Sequence, residues 1–151
     1  MIAVVQRVDE ACVSVASPAY EARIGRGLCV LLGVERGDGE AQAQWIAGKL
    51  ARLRIFPDEQ DKMNRSVRDI AGAVLLVSQF TLAGSCAKGN RPSFAGAAEP
   101  RIGEALYESV AQLLRSKYEL PVQTGVFGAR MQLSIVNNGP VTLIVQQGPT
   151  N

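Results

Sequence analysis

Leu28-Cys29-Val30-Leu31-Leu32-Gly33-Val34 is an unbroken apolar run of seven residues. Its length suits a strand, and its lack of alternation means that both faces are covered. Such a strand belongs in the middle of a sheet, so the flanking sequence is read as what surrounds it. Upstream, residues 1–8 and 11–16 read as two strands with Val4, Val13 and Val15 as inward-facing candidates, and Ser17-Pro18-Ala19-Tyr20 supplies a turn. A short strand from Glu21 to Ile24 then meets Gly25-Arg26-Gly27. Arg7 falls inside the first strand, where a charge is ordinarily accommodated at an exposed strand end.

Downstream, Gly37-Asp38-Gly39-Glu40 reads as a loop and helix cap. The segment to about Arg54 places Ile46, Leu50 and Leu53 at helical spacing, with Ala43 and Trp45 assigned to the same packing face. Pro57 disfavours helical angles at Phe56 and marks the helix as already ended. Asp58 to Arg68 is polar and loop-like, with Lys62-Met63-Asn64-Arg65-Ser66 as its most distinctive part. Ala73 to Leu82 starts as a buried strand and turns polar at its C-terminal end. Ser78, Gln79 and Thr81 bring short uncharged hydrogen-bonding groups to that end, and Phe80 alternates to the other face. They serve either as ordinary strand-end residues or as groups presented where a rigid strand gives way to a loop.

The loop that follows contains Lys88-Gly89-Asn90-Arg91-Pro92-Ser93-Phe94. Its two cations suit phosphate contact, although short basic loops are commonly just solvated. Pro100 to about Tyr118 reads as a second helix with Ile102, Leu106, Val110, Leu113 and Leu114 on its core stripe. Val122 to Met131 is a strand interrupted by Gly125 and Gly128, a sign of close backbone approach or a bulge. Gln132 to Val136 and Val141 to Gln146 flank Asn137-Asn138-Gly139-Pro140-Val141-Thr142. Alone, those six residues read as a hairpin turn, or as a turn that aims bare backbone carbonyls at a ligand.

The chain has 151 residues, 47% hydrophobic and 20% charged, which fits one globular domain with a real core. A net charge of +2 is too mild for a protein that coats a long duplex, while a short contact with an RNA end stays open. The opening residues carry no basic leader and no membrane-length apolar span, so a soluble cytoplasmic protein is expected. Cys12, Cys29 and Cys86 form neither a CxxC pair nor a zinc pattern. The absence of histidine removes the usual general base and the commonest metal ligand. The expected fold is one α+β domain over residues 1–151: a mostly antiparallel, barrel-like sheet with two main helices.

Several of these segments, in this order and spacing, resemble the D-aminoacyl-tRNA deacylase family. They are Val4-Val5-Gln6-Arg7-Val8, Gly27-Leu28, Leu53-Arg54-Ile55-Phe56, Lys62-Met63-Asn64, Ser78-Gln79-Phe80-Thr81-Leu82, Lys88 to Phe94, Gly125 to Met131 and Asn137 to Thr142. The resemblance covers essentially the whole chain. Two departures stand out: Asn138, where the family commonly carries Asp, and Ser85-Cys86-Ala87, in a loop that more often holds charged residues.

The resemblance implies a homodimer that hydrolyses the ester of D-aminoacyl-tRNA, and of glycine mischarged on tRNA for alanine, with no metal or organic cofactor. It implies that Gly139 and Pro140 form a cis motif inserted into the partner subunit's site, held by Arg7, and that this site contains Ser78, Gln79, Phe80 and Thr81. Backbone N–H groups near Phe80 and Thr81 are then candidate oxyanion donors. Phe127, Gly128 and Met131 are candidates for packing the terminal adenine, against the alternative of core packing beside a bulge. Lys88 and Arg91 are candidate phosphate contacts. The competing expectations are a paralogue whose Gly-Pro bond is trans, with relaxed chiral selectivity, and a non-catalytic RNA-end or nucleic-acid-binding module.

Overall fold

In the computed structural model, which describes residues 1–148, the apolar run forms β3 (Gly27–Gly33), hydrogen-bonded between β1 (Ile2–Val15) and β6 (Ala73–Ser78). The other elements are β2 (Tyr20–Ile24), α1 (Glu40–Arg52), β4 (Phe56–Pro57), β5 (Met63–Arg65), α2 (Pro100–Ser116), β7 (Val122–Thr124) and β8 (Gln132–Gln146). A 3-10 turn spans Phe80–Ala83. β1 folds back on β2 and β3 in one antiparallel register, from Val15 opposite Tyr20 to Ile2 opposite Gly33. β3, β6 and β7 run parallel, and β8 lies antiparallel along the other edge of β1.

The lack of alternation in β3 has a direct cause. Val30, Leu32 and Leu76 face a core capped by Ile46 and Leu50 of α1 and by Val110 and Leu114 of α2. Cys29, Leu75 and Val77 face the opposite way, into the interior of the curled sheet with Val8, Ala11, Val13 and Ile24. Burial pushes the Cys29 thiol up to about 12, so it stays a protonated packing group. The Tyr20 hydroxyl donates to the Thr124 carbonyl at 2.7 Å, tying β2 to β7 and bringing the sheet close to a closed barrel. The α+β architecture with two helices and a barrel-like sheet is as expected.

Several local expectations need correction. Residues 1–8 and 11–16 are one strand, because Asp9 is an extra residue between the pairs Val8–Asn137 and Glu10–Val136. This bulge shifts the side-chain phase, so Ala3 and Val5 lie under the helices while Ala11 and Val13 face the barrel interior. Val4 is only half-buried.

Asn137 to Thr142 is not a hairpin. Residues on both sides of it pair with β1 in the same direction, from Gln132 opposite Ser14 to Gln146 opposite Ile2. The chain leaves the ladder after Asn137 and rejoins it at Thr142, because β1 is long enough to template both segments.

Trp45 is 37% exposed under the Lys49 ammonium, 5.1 Å from its ring centre, and is not part of the packing face. Ile102 is 51% exposed, since the stripe through Leu106 and Val110 extends back to Gly103. Part of the polar loop forms β5, paired with β4. There the Asp58 carboxylate accepts from Asn64 Nδ2 at 2.7 Å and from the N–H groups of Gln60 and Lys62, while Arg54 grips the Asn64 carbonyl and Oδ1 at 2.8 and 2.7 Å. Behind α1, the buried Asp38 carboxylate receives the Met1 ammonium at 2.8 Å and the Glu35 N–H at 2.7 Å.

Candidate active site

β6 turns polar at Ser78 because the chain there leaves the double-sided core. The Gln79 N–H still donates to the Leu32 carbonyl at 2.8 Å, which fixes the strand end to β3. Gly33 makes this possible, since a Cβ at that position would stand 2.9 Å from the Gln79 carbonyl oxygen. The chain then tightens into the 3-10 turn, closed by Leu82 N–H to Gln79 O at 3.2 Å and Gly84 N–H to Thr81 O at 2.9 Å. The N–H groups of Phe80 and Thr81 lead this turn, and neither finds a backbone acceptor among the described residues. Gln79 Nε2 donates to Thr81 Oγ1 at 2.5 Å. Phe80 is 58% exposed and meets the edge of Phe94, ring centres 5.2 Å apart. Phe94 follows a loop closed by reciprocal Ser85–Ser93 backbone hydrogen bonds, which carries the exposed Lys88 and Arg91 beside the strand end.

Two cavities share this strand end. One, of about 260 Å³, is lined by Ser78, Gln79 and Phe80 with Tyr107, Phe127 and Gly128. The other, of about 230 Å³, lies against the same three residues and Gly128, with Val77 and Met131. Ser78, Gln79 and Phe80 therefore do meet Phe127, Gly128 and Met131. The three adenine candidates are nevertheless divided: Phe127 lines the first cavity, Met131 the second, and Gly128 both. Val122 to Met131 is not one interrupted strand: β7 ends at Thr124 and the chain turns, with Gly128 at φ +73°, while at Gly125 a Cβ would lie 2.6 Å from Met131 Sδ, a side-chain approach in place of a bulge.

Sequence reasoning missed Tyr107, whose ring packs on Phe127 with centres 5.9 Å apart and whose hydroxyl donates to the Leu76 carbonyl at 2.8 Å. Burial drives that hydroxyl well above the ordinary tyrosine range and keeps it a donor. The available signal was a polar-tipped aromatic on the core stripe of α2. Pro100 and Gly103 were likewise unassigned, and both line the first cavity.

The Gly139–Pro140 peptide is cis, the isomer implied by the resemblance. Arg7 holds the segment through two donors, Nε to the Asn138 carbonyl at 3.0 Å and Nη2 to Asn138 Oδ1 at 3.2 Å, and is itself anchored by Nη1 to the Ile55 carbonyl at 2.7 Å. Asn137 closes the base of the excursion, its Oδ1 accepting the Val141 N–H and its Nδ2 donating to Thr142 Oγ1, each at 3.0 Å. Gly139 has φ +131°, and a Cβ there would stand 2.8 Å from Val141 Cγ2 and 3.0 Å from Arg7 Nη2. Gly139 and Pro140 are exposed, and none of Arg7, Gly139 and Pro140 lines either cavity. Within the chain, the excursion and the strand end are not brought together.

Known proteins share this architecture. Residues 4–146 match the family described as D-Tyr-tRNA(Tyr) deacylase. A D-aminoacyl-tRNA deacylase of Pelobacter propionicus is 53% identical over 97% of this chain and 100% of its own, and one of Geobacter sulfurreducens is 54% identical over 96% and 94%. Among solved structures, a c-Myc DNA unwinding element binding protein superposes with TM-score 0.90 at 42% identity, covering 98% of this chain and 99% of that one. A probable eukaryotic D-amino acid tRNA deacylase gives TM-score 0.80 at 21% identity over 95% and 97%, a likeness of fold. With the family match running nearly end to end and relatives above half identity, the chain belongs to the D-Tyr-tRNA(Tyr) deacylase family.

Proposed function

We propose that this protein hydrolyses the ester linking a D-amino acid to the terminal ribose of tRNA, releasing both, and that it does so as a cytoplasmic homodimer. The observation that carries this reading is the strand end: among the described residues the N–H groups of Phe80 and Thr81 have no backbone acceptor, and Phe80 lines two cavities of small-ligand size, in a chain of this family. No described helix is long and apolar enough to cross a membrane.

The N–H groups of Phe80 and Thr81 stabilise the oxyanion that forms when water attacks the ester carbonyl. Thr81 is a poor nucleophile, because its Oγ1 receives an amide proton from Gln79 and an amide cannot take a proton back at pH 7. The tRNA's own terminal 2′-hydroxyl assists the attack, so the reaction proceeds without imidazole. The exposed Gly139 and Pro140 of one protomer enter the site formed by Ser78 to Leu82 of the other, giving two composite sites per dimer. Their carbonyls hold the α-amino group and fill the space an L side chain would enter, so selectivity arises by exclusion. D-amino acids and achiral glycine on tRNA for alanine pass this filter. Phe127 or Met131 packs the terminal adenine, and Lys88 and Arg91 meet acceptor-end phosphates.

A second reading, a nucleic-acid-binding module, takes its support from the 42% identical solved structure, that of a DNA unwinding element binding protein. Matched D- and L-aminoacyl-tRNAs incubated with purified protein separate the two. Selective release of the D-amino acid is expected, and binding without release refutes the hydrolytic reading. The composite site has its own test. Mixing equal amounts of a Gly139→Ala and a Phe127→Ala chain, with subunit exchange, should restore about a quarter of wild-type activity, because half the dimers are mixed and each has one intact site.

A further inference from the structure

The Asn138 side chain lies between two opposite charges. Its Oδ1 accepts from Arg7 Nη2 at 3.2 Å, and its Nδ2 donates to both carboxylate oxygens of Asp9, at 2.9 and 3.1 Å. Asp9 is the extra residue of the β1 bulge, so the irregularity that shifts the strand's phase also aims a carboxylate at the excursion. We propose that Asp9 is a positioning residue for the Gly139–Pro140 segment, acting through Asn138, and that this is why an amide is needed at position 138.

An amide has one acceptor end and one donor end, and between a guanidinium and a carboxylate only one orientation satisfies both neighbours. A carboxylate at 138 would pair with Arg7 but stand as a like charge within hydrogen-bond distance of Asp9. Arg7 alone grips only the oxygen side of Asn138. Asp9 supplies the opposing restraint, and the two fix the rotation of residue 138 immediately before Gly139. Asp9 and Asn138 are both exposed, so their replacement removes no core packing.

This inference rests on the proposed role of Gly139 and Pro140 in the reaction, and its test separates the two. Asn138→Asp is expected to lower kcat/KM for D-aminoacyl-tRNA about tenfold, the scale of a lost charge-assisted hydrogen bond plus a new repulsion, and to narrow the D-over-L ratio. Adding Asp9→Asn to that variant restores an amide–carboxylate pair with the roles exchanged, and should recover activity to within about threefold of wild type. Equal turnover and selectivity in Asn138→Asp and wild type overturns the proposal, and so does a double variant no better than Asn138→Asp.

A readout independent of turnover is the Asn138 side-chain amide in NMR spectra. Its protons should exchange slowly in wild type and rapidly in Asp9→Ala, with unchanged melting temperature. Slow exchange in wild type that is lost in Asp9→Ala, in a protein that releases no amino acid, supports the clamp and overturns the hydrolytic reading. Turnover with an equally fast-exchanging amide in both proteins overturns the clamp alone.

Discussion

The Ser78–Thr81 strand end and the Asn137–Thr142 excursion are held by different kinds of force. Backbone hydrogen bonds anchor the strand end, with Gln79 tied to Leu32 and the 3-10 turn closed on itself, above a core of Leu75, Leu76 and Val77. The excursion has left the ladder and depends on side chains: Arg7, Asn137, Asn138 and Asp9. Burial makes the first insensitive to most side-chain changes at its tip, whereas the second relies on exposed polar contacts that solvent weakens. In the proposed composite site, the chemistry would rest on the rigid region and the filter on the adjustable one.

The sharpest attempt to break this contrast is Gly139→Ala. The left-handed φ and the approach of Val141 and Arg7 leave no room for a Cβ, so the segment must shift. Displacing a positioning group by about 1 Å costs on the order of 10²-fold in rate. We expect that loss in D-aminoacyl-tRNA turnover, with erosion of D-over-L selectivity and an unchanged far-UV circular dichroism spectrum. A folded variant with wild-type selectivity would show that the excursion does not filter chirality.

The strand end should respond in the opposite manner. Thr81→Ala removes a hydroxyl that only receives the Gln79 amide, and turnover should stay within about threefold of wild type. Replacing the terminal 2′-hydroxyl of the tRNA by hydrogen should cost more, about 10²-fold in single-turnover rate. The reverse ordering would make Thr81 the nucleophile. Between these lies the adenine question. Phe127→Ala should raise KM about tenfold if the base stacks in the cavity shared with Tyr107, since stacking on an aromatic contributes about 1–3 kcal/mol per base. A larger effect from Met131→Ala would move the base to the other side of Gly128.

The central strand and both helices were legible because burial writes directly into hydropathy, as in Leu28 to Val34. Ser78 to Thr81 could be picked out by the same logic, at the point where apolar sequence gives way to polar. Of the two readings open to the excursion from its own residues, the hairpin fails because turn residues state that the ladder is interrupted, without saying whether the chain reverses. That depends on which strand the flanking runs pair with, and the template, β1, lies at the opposite end of the sequence. Asp9 was invisible for a related reason, since a bulge is a relation between two strands. The division of Phe127 from Met131 depends on the turn at Gly128, whose positive φ sends the two side chains into different cavities.

The smallest expected effect concerns acid, and it probes whether filter and chemistry can be uncoupled in one molecule. Asn64, and then the N–H groups of Lys62 and Gln60, hold the Asp58 carboxyl below its ordinary range, and Ser66 does the same for Asp69. A carboxyl depressed in the folded state contributes stability that is full above its unfolded pKa, about 4, and is lost as pH falls through the lower folded value. Asp69 is exposed and Asp58 half-buried at the surface, so the loosening is local. At Asp58 it bears on Asn64, which Arg54 grips, and the next carbonyl, that of Ile55, is a direct acceptor of Arg7. Lowering the pH below about 4 should therefore reach the excursion before the backbone-anchored strand end. The expected sign is a D-over-L ratio that declines while turnover of the D substrate is still largely retained. Asp58→Asn should show the reduced ratio at neutral pH and lose the acid dependence attributable to Asp58. If selectivity and turnover instead fall together in wild type and variant alike, the two regions share a common support, and the contrast between them is wrong.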